Sequence, residues 1–327
     1  MDPITHGLVG AAVGSLKGAA GDPQAAQTVF WATVLGAVMP DVDIVARATG
    51  GELGYLANHR GVTHSIPGIL VLSAAAAALV GVLSPVPSWI ELFAWILVGA
   101  LSHVLLDILN SYGTKFLWPF SNRRLAWDIL MIVDLPILAL TIIGLVSGWF
   151  NPAEKQKIFW VILSGLAFYI LLRAYIHGHV LGAAHRRFQG LKPLKISVTP
   201  GLLGIGLWNF IVEAGDRFLV GEARAFSRGD GFAILKELPK HNYDPFVEAS
   251  RKARAARVFL EFARHPWSVH EERDGRHVVT WGDLRFWFRN HSIFTVTVIM
   301  DDEMQVVDAR LGRGMGKKRP SREPGLT

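Results

Sequence analysis

The chain has 327 residues, of which 51% are hydrophobic, its net charge is +6, and its mean hydropathy is +0.32. Because the apolar residues are gathered in long runs, these values exclude an ordinary soluble protein and indicate a membrane protein. The chain has no cysteine, which excludes disulfide bonds and thiolate ligands, so any metal must bind nitrogen and oxygen atoms.

The chain begins with two short apolar runs, residues 7–20 and 28–39, neither of which has the length of a full span. We expect them to form a tightly packed helical hairpin that is re-entrant or lies in the membrane interface. In an antiparallel hairpin the start of the first helix meets the end of the second. This arrangement would make His6 a neighbour of Asp41 and Asp43.

Four longer runs match the ~20 residues that cross a bilayer core: 66–83, 89–109, 129–150 and 158–176. The short turn 84–88 sends the chain straight back, so the end of the second run should lie at the same membrane surface as the start of the first. Basic residues in the short loops are concentrated at that surface, whereas the opposite side has only Lys155 and Lys157. The excess of basic residues predicts that the shared surface is cytoplasmic.

The segment His59-Arg60-Gly61-Val62-Thr63-His64-Ser65 stands directly before the run 66–83. Two histidines five residues apart would not share a helix face, but a turn could bring both imidazoles to one point. Ser65 is placed to cap the helix that follows, with Pro67 in its first turn. The alternative is a capped helix start with two solvated histidines.

His103 and Asp107 lie near the end of the run 89–109 and are four residues apart, which places them on one helix face. On the predicted topology, four histidines lie at the same membrane surface: His6, His59, His64 and His103. Six aspartates lie there as well: Asp2, Asp41, Asp43, Asp107, Asp128 and Asp134. Clustered carboxylates without matching lysines repel one another, and a divalent cation removes this repulsion.

Imidazole and carboxylate together suit zinc best, with manganese or iron as alternatives, and the number of candidate ligands allows one or two ions. We expect the metal ligands to be His6, Asp41, His64, His103 and Asp107. Asp43, His59 and Asp128 are expected to be further ligands, a catalytic base, or groups that orient the ligands. Arg60 is placed to hold an anion such as a phosphate.

After about residue 190 the composition changes, since residues 1–195 hold 10 of the 27 acidic side chains and the remainder holds 17. Short β-branched and aromatic runs then predict strands over 207–213, 217–226, 276–281, 284–289, 293–299 and 304–309. An amphipathic helix with a basic polar side is expected over 246–264, and Asp283 with Arg285 is expected to be a structural ion pair. We therefore expect three parts: a membrane domain at 1–190, a soluble α+β domain at 191–311 and a basic disordered tail at 312–327.

The metal-site residues, in this order, resemble the bacterial membrane-bound metal-dependent hydrolase family, whose LexA-regulated members lie in the inner membrane. The matching motifs are Thr5-His6, Pro40-Asp41-Val42-Asp43, residues 59–65, Ser102-His103 with Asp107, and Trp127-Asp128. The segments 259–262 and 283–286 resemble the tails of longer members. A more distant likeness is to zinc phospholipase C and S1-type nucleases, which use an N-terminal tryptophan as a ligand, a group that Met1-Asp2 does not offer.

The resemblance implies a multi-pass hydrolase of the bacterial inner membrane, with its metal site and C-terminal domain on the cytoplasmic side. Its substrate would be a phosphoester or ester of a lipid or lipid-linked molecule, because a site at headgroup level meets these first. The bilayer is the expected partner, and no nucleic acid is expected. The alternative is a non-catalytic membrane protein with a structural metal and a soluble partner-binding domain. An open coordination position on the metal would distinguish the enzyme from this alternative.

Overall fold

The computed structural model describes residues 1–18, 22–84, 88–201, 204–240, 244–288, 291–292 and 294–312. The middle of the predicted turn 84–88 and the expected tail beyond Gly312 lie outside the described residues. The described chain divides into two compact units. One comprises Met1–Gly215 with Leu219–Glu237, and the other comprises Asp216–Phe218 with the chain from Leu238 onward.

The first unit is built mainly from helices. Those described are α1 (Pro3–Gly14), α2 (Pro23–Val38), α3 (Ala46–Asn58), α4 (Ile66–Leu83), α5 (Trp89–Leu109), α6 (Leu135–Phe150) and α7 (Lys155–Phe188). Side chains cap several starts, since Asp2 accepts a hydrogen bond from Thr5 N at 3.0 Å and Ser65 accepts one from Gly68 N at 3.1 Å. The predicted cap at Ser65 is therefore confirmed.

Four helical stretches are long and apolar enough to cross a membrane: Pro23–Asn58, Ile66–Leu83, Trp89–Leu109 and Pro152–Leu191. The helix expected over 129–150 begins only at Leu135, so it is a shorter apolar helix of 16 residues. Its late start has a physical cause, because the backbone N–H groups of Ile129 and Leu130 both donate to Leu109 O at the end of α5. These bonds hold residues 129–130 outside the helix.

Helices α2 and α5 approach so closely that no side chain fits between them at two glycines. A Cβ atom on Gly99 would lie 2.3 Å from Thr33 O and 2.9 Å from Ala37 N. A Cβ atom on Gly36 would lie 2.1 Å from Ile96 O. Small residues permit such backbone contact between membrane helices. This contact aligns the end of α2 with the last two turns of α5.

A four-stranded sheet follows α7, in the order β1 (Lys195–Pro200), β2 (Leu207–Glu213), β3 (Arg217–Arg224) and β4 (Phe232–Pro239), and most of it belongs to the first unit. The sheet packs on the end of α7, where Ile176, Val180 and Phe188 share a buried core with Trp208 and Phe210. Burial of each large side chain contributes about 1.5–3 kcal/mol. The compact helical unit therefore extends past residue 191, where we expected the soluble domain to begin.

The second unit is an α+β structure. Its elements are α8 (Pro245–Ser250), α9 (Arg254–Phe262), β5 (Pro266–Arg273), β6 (Arg276–Asp283), β7 (Trp287–Phe288), β8 (His291–Ser292), β9 (Thr295–Met300) and β10 (Val306–Gly312). The main antiparallel sheet has the order β10-β9-β6-β5, and β7 pairs with β8. A mainly helical membrane part followed by an α+β part agrees with the expected fold class.

Two local expectations for this unit were wrong. The helix expected over 246–264 is broken, because Ala253 takes an extended conformation (φ −62°, ψ 134°) between α8 and α9. The first half of the strand expected over 284–289 is a 3₁₀ turn, Leu284–Phe286. The cause is Asp283, which accepts hydrogen bonds from Arg264 N at 2.9 Å and from Arg285 N at 3.0 Å and so turns the chain out of β6.

Asp283 and Arg285 form the expected ion pair, with a closest contact of 2.6 Å. Both side chains are almost fully buried. Burial alone would raise the pKa of Asp283, but the Arg285 guanidinium and the backbone donors hold it below its usual value. The carboxylate therefore remains charged and supports the junction between α9, β5 and the end of β6.

The contact of α2 with α5 can be tested by Gly99→Ala. We expect a loss of about 1–3 kcal/mol of stability, because the added methyl group must push two backbones apart. Gly165→Ala is the matched control, since a Cβ there has no neighbour within 4 Å. Thermal unfolding of both variants in detergent measures the effect. Equal melting temperatures for the two variants would contradict the close packing.

Candidate metal centre

Four side chains from three parts of the first unit meet at one point. Asp41, His64, His103 and Asp107 each offer one ligand atom, and these atoms all lie within 4.8 Å of one another. The two Nε2 atoms of His64 and His103 are 3.1 Å apart. Each Nε2 atom is also 3.5 Å from Asp41 Oδ1 and 3.5 Å from Asp107 Oδ2.

These five separations are those of donors around one small cation. Ligand atoms at 2.0–2.1 Å from a tetrahedral zinc ion lie about 3.3–3.4 Å from one another. The observed values of 3.1–3.5 Å are the lengths of five of the six edges of such a tetrahedron. The four residues could therefore hold a metal ion.

Local structure explains how each donor reaches this point. Asp41 lies in the 3₁₀ turn Met39–Val45 that follows α2, and His64 ends the 3₁₀ turn Val62–His64 before α4. His103 and Asp107 lie one turn apart on α5, as their spacing predicts. The side chains of His64, His103 and Asp107 have no exposed surface, whereas that of Asp41 is 21% exposed. The group is therefore accessible from the Asp41 side.

A hydrogen bond on the far side of the His103 ring fixes which of its nitrogens faces the group. His103 Nδ1 is 2.7 Å from the carbonyl of Ala37, which can only accept, so this nitrogen donates and Nε2 carries the lone pair. His64 Nδ1 is 3.0 Å from Thr63 Oγ1 and 3.7 Å from Asp43 Oδ2. His64 Nε2 lies 3.1 Å from the His103 lone pair, so either a proton on His64 Nε2 or a cation between the two nitrogens satisfies that lone pair.

Asp107 Oδ2 points into the same space. The atom is buried and accepts no hydrogen bond from the described residues, although Arg60 Nε lies 2.9 Å away. A buried carboxylate oxygen without a hydrogen bond is costly, and a metal ion would satisfy it. The chemistry of the donors and this unsatisfied oxygen both fit a divalent ion.

Arg60 is held within the group by several contacts. Its backbone N–H donates to Asp43 Oδ2 at 2.7 Å, and its guanidinium donates to Asn110 Oδ1 at 3.0 Å and to Met1 O at 3.3 Å. The residue is only 3% exposed. These contacts favour a role in orienting and neutralising Asp107, while docking of an anion on Arg60 stays a prediction.

His59 and Asp43 form a second pair beside the four donors. Asp43 Oδ2 lies 3.4 Å from His59 Nδ1 and 3.7 Å from His64 Nδ1, so the turn brings both histidines to one carboxylate as expected. The His59 ring also packs against Tyr55, with ring centroids 4.6 Å apart. Burial lowers the pKa of His59 below its usual value, and the Asp43 carboxylate opposes this only in part. The His59 side chain keeps 15% of its surface exposed, and its lowered pKa favours the neutral imidazole.

His6, which we expected to be a ligand, lies outside the four-donor group. Its ring stacks on His103 with centroids 3.6 Å apart, and its Nε2 atom is 3.2 Å from Asp107 Oδ1, the other oxygen of that carboxylate. The amino nitrogen of Met1 contacts the same oxygen and lies 3.0 Å from His6 Nε2. The chain offers no N-terminal tryptophan, but the packing of α1 against α5 places the Met1 amine beside Asp107.

The other predicted aspartates serve different parts of the fold. Asp2 caps α1, and Asp134 accepts a hydrogen bond from the Tyr169 hydroxyl at 2.9 Å. Asp128 is buried in a left-handed conformation (φ 58°) beside the end of α5 and is not among the four donors. Its predicted catalytic role stays a prediction.

Asn110 was missed by the sequence reasoning, although it touches both charged residues at the centre of the group. It donates to Asp107 Oδ1 at 3.2 Å and accepts from Arg60 at 3.0 Å. The available signal was its place three residues after Asp107, at the C-cap of α5.

The metal site can be tested by replacing its helical pair. We expect His103→Ala with Asp107→Ala to lower bound divalent metal by at least about ten-fold, since changes outside the ligands alone cost 10–100-fold in affinity. Elemental analysis of purified protein measures the metal content, and His185→Ala is the control because His185 is exposed on α7. Wild-type metal content in the double variant would remove both residues from the ligand set.

Arg60→Ala belongs in the same comparison. If Arg60 orients Asp107, metal content falls in this variant as well. If Arg60 docks an anion, metal content is retained and only turnover is lost.

Comparison with known proteins supplies the family. The model of the YdjM inner membrane protein family matches residues 1–180, which hold the whole metal centre, and that of the YfhP C-terminal alpha/beta plait domain matches residues 245–319. Uncharacterized protein YfhP of Bacillus subtilis (strain 168) is 26% identical over 326 residues, covering 95% of each chain. Inner membrane protein YbcI of Escherichia coli (strain K12) is 25% identical over 167 residues, covering 50% of this chain and 91% of that protein. No solved structure matches the chain.

The match to the YdjM model spans more than half of the chain, and it agrees with the membrane helices and with the expected inner-membrane resemblance. The chain therefore belongs to the YdjM inner membrane protein family.

Proposed function

We propose that this membrane protein is a metal-dependent hydrolase that acts at the bilayer surface on a phosphoester or ester of a lipid or lipid-linked substrate. The observation that carries the proposal is the tetrahedral arrangement of Asp41, His64, His103 and Asp107, in which Asp41 alone is partly exposed. A buried metal site with one accessible side suits chemistry on a molecule that arrives from the membrane surface.

Charge balance supports a divalent ion. Asp41, Asp43 and Asp107 together carry three negative charges, and Arg60 supplies one positive charge among them. With neutral histidines, an ion of charge +2 brings the group to neutrality, which lowers the cost of burying it. Zinc suits two imidazoles and two carboxylates best, and manganese or iron would also fit oxygen and nitrogen donors.

The ion would supply a bound water of lowered pKa and a positive charge beside the scissile ester. The protein residues have complementary tasks. Asp43 holds His59 and accepts the backbone N–H of Arg60, so His59 is positioned to take a proton from an attacking water. Asp41 lies on a turn rather than a long helix and can swing aside to open a position for water or substrate.

A lipid substrate is supported by the surface around the donors. Val42 lies between Asp41 and Asp43, Ile44 follows, and Val62 precedes His64 by two residues. All three side chains are 46–57% exposed. Exposed apolar residues beside a charged site are unusual for an enzyme of soluble substrates and suit acyl chains next to a polar headgroup.

A second ion is supported by the contacts of the other Asp107 oxygen. Met1 N, His6 Nε2 and Asp107 Oδ1 converge as a set of three donors. Burial lowers the pKa of the Met1 amino group to about 6, so much of it is uncharged at neutral pH and can bind a cation. The Met1 amine, His6 and Asp107 would then be the residues that hold a second ion.

A structural metal is the second candidate, and the same tetrahedron favours it. Four protein ligands close the coordination of zinc, as in structural sites, whereas catalytic sites keep one position open. A closed ion would join α5 to the turns after α2 and before α4 without any reaction. The number of protein ligands on the bound metal therefore separates the two functions.

Cobalt-substituted protein provides the test. For the hydrolase we expect a metal with at least one water ligand by X-ray absorption, and release of new products from a lipid extract by mass spectrometry. His59→Gln should keep the metal but lose turnover by roughly 10²–10⁴-fold, the contribution of a general base. Four protein ligands, no water and no lipid products would establish the structural role instead.

We also propose that the metal centre and the second unit face the cytoplasm. The support is the excess of lysine and arginine in the loops on that side of the helices. A reporter fused after residue 195 should be cytoplasmic, and one inserted at residues 84–88 should lie on the opposite side. Reporters on the same side would remove the basis for a shared cytoplasmic surface.

A further inference from the structure

The main sheet of the second unit has two chemically different ends. The turn between β5 and β6, at Asp274-Gly275, and the turn between β9 and β10 lie at the same end of the sheet. His277, near the first turn, pairs with Glu272 on β5 and with Met300 at the end of β9. At the other end, Gly282 pairs with Trp267 and Thr295, and Thr295 pairs with Gly312. We call these the turn end and the tail end, since the chain beyond Gly312 continues from the second.

The turn end is acidic. Its two turns carry six acidic side chains, most of them exposed: Glu271, Glu272, Asp274, Asp301, Asp302 and Glu303. Only two arginines accompany them, and Arg273 is already paired with Glu271. The turn end therefore has a negative potential that would oppose contact with an anionic surface.

The tail end is basic. Helix α9 packs on β9 and β10 through buried Ala255, Ala256, Phe259 and Phe262, and the outward side of this segment exposes Lys252, Arg254 and Arg257. The guanidinium of the preceding residue, Arg251, lies 4.7 Å from the centroid of the Trp281 ring. Because Trp281 is next to Gly282, this contact places the segment in the tail half of the sheet.

We propose that the tail end of this unit docks on anionic phospholipid headgroups of the membrane in which the helices lie. Each basic side chain near such a surface adds binding free energy, while the acidic turn end directs the unit so that only one end can approach. Attachment to membrane helices makes docking intramolecular, so even a weak patch is occupied. The proposal does not depend on the metal centre or on hydrolysis.

A nucleic acid would require the same positive charge, but among the described residues α9 exposes no aromatic side chain on which a base could stack. Proteins that bind single strands stack bases on exposed aromatic side chains. The exposed side of α9 holds arginine and Glu261, whereas Phe259 and Phe262 are buried. The charge is therefore better matched to headgroups than to bases.

The absence of cysteine allows a site-specific test on the full-length chain. Glu261→Cys, on α9, and Glu272→Cys, at the turn end, are each labelled with a fluorophore in nanodiscs that contain headgroup-spin-labelled lipid. We expect strong quenching at position 261 with phosphatidylglycerol, little with phosphatidylcholine alone, and little at position 272 with either. The quenching should fall as salt rises.

Lys252→Gln with Arg254→Gln and Arg257→Gln should weaken docking by about two orders of magnitude. Arg273→Gln with Arg276→Gln is the matched control and should leave quenching unchanged. Circular dichroism and melting temperature establish that each variant is folded. Equal quenching at both labels, quenching independent of phosphatidylglycerol, or loss of quenching in the control variant would overturn the proposal. So would tighter binding of a single-stranded oligonucleotide than of the anionic lipid.

Discussion

Carboxylates buried among apolar helices cost free energy unless positive charge and hydrogen bonds surround them, and Asp107 is where this chain meets that requirement. Its two oxygens have separate surroundings. Oδ1 faces the Met1 amine, His6 and Asn110, while Oδ2 faces Arg60, His64 and His103. The start of the chain, the turn at residues 59–65 and α5 are thus joined at the Asp107 side chain. The positions of the residues that contact it depend on the negative charge of this carboxylate.

The backbone contact between α2 and α5 makes this arrangement possible. Gly99 stands one turn before His103, and its contact with Ala37 sets the distance between the helices. The Ala37 carbonyl in turn accepts from His103 Nδ1 and so fixes the ring with Nε2 toward Asp41. Packing of two small residues therefore sets the direction of the ring of a candidate ligand, which connects helix association to the chemistry of the site.

Exposure divides the centre into a rigid and an adjustable part. His64, His103 and Asp107 are fully buried, and their rotamers are held by neighbours, so they can keep a metal in place. Asp41 and His59 lie on turns at the surface of the group and retain some exposure. If the centre is catalytic, substrate must approach through these two residues. If it is structural, Asp41 is the ligand most easily exchanged with water.

The sequence by itself determined the features that depend on local spacing. These include the membrane class, the cap at Ser65, the shared face of His103 and Asp107, and the proximity of histidines and aspartates across hairpins. Each follows from helix periodicity, from capping chemistry, or from the rule that a hairpin of two spans returns the chain to the same membrane surface. Those rules involve neighbours along the chain, so the residues alone are sufficient to predict them.

Only the tertiary structure decided which of the candidate ligands share one point. It separated His6 from the four-donor group, placed Arg60 against Asp107, brought the Met1 amine and Asn110 to the centre and moved Asp134 to Tyr169. In the second unit it broke the expected helix at Ala253 and turned the chain after Asp283. These outcomes depend on distances between segments that are far apart in sequence. Such distances are set by the close packing of side chains and helix backbones, which no local pattern records.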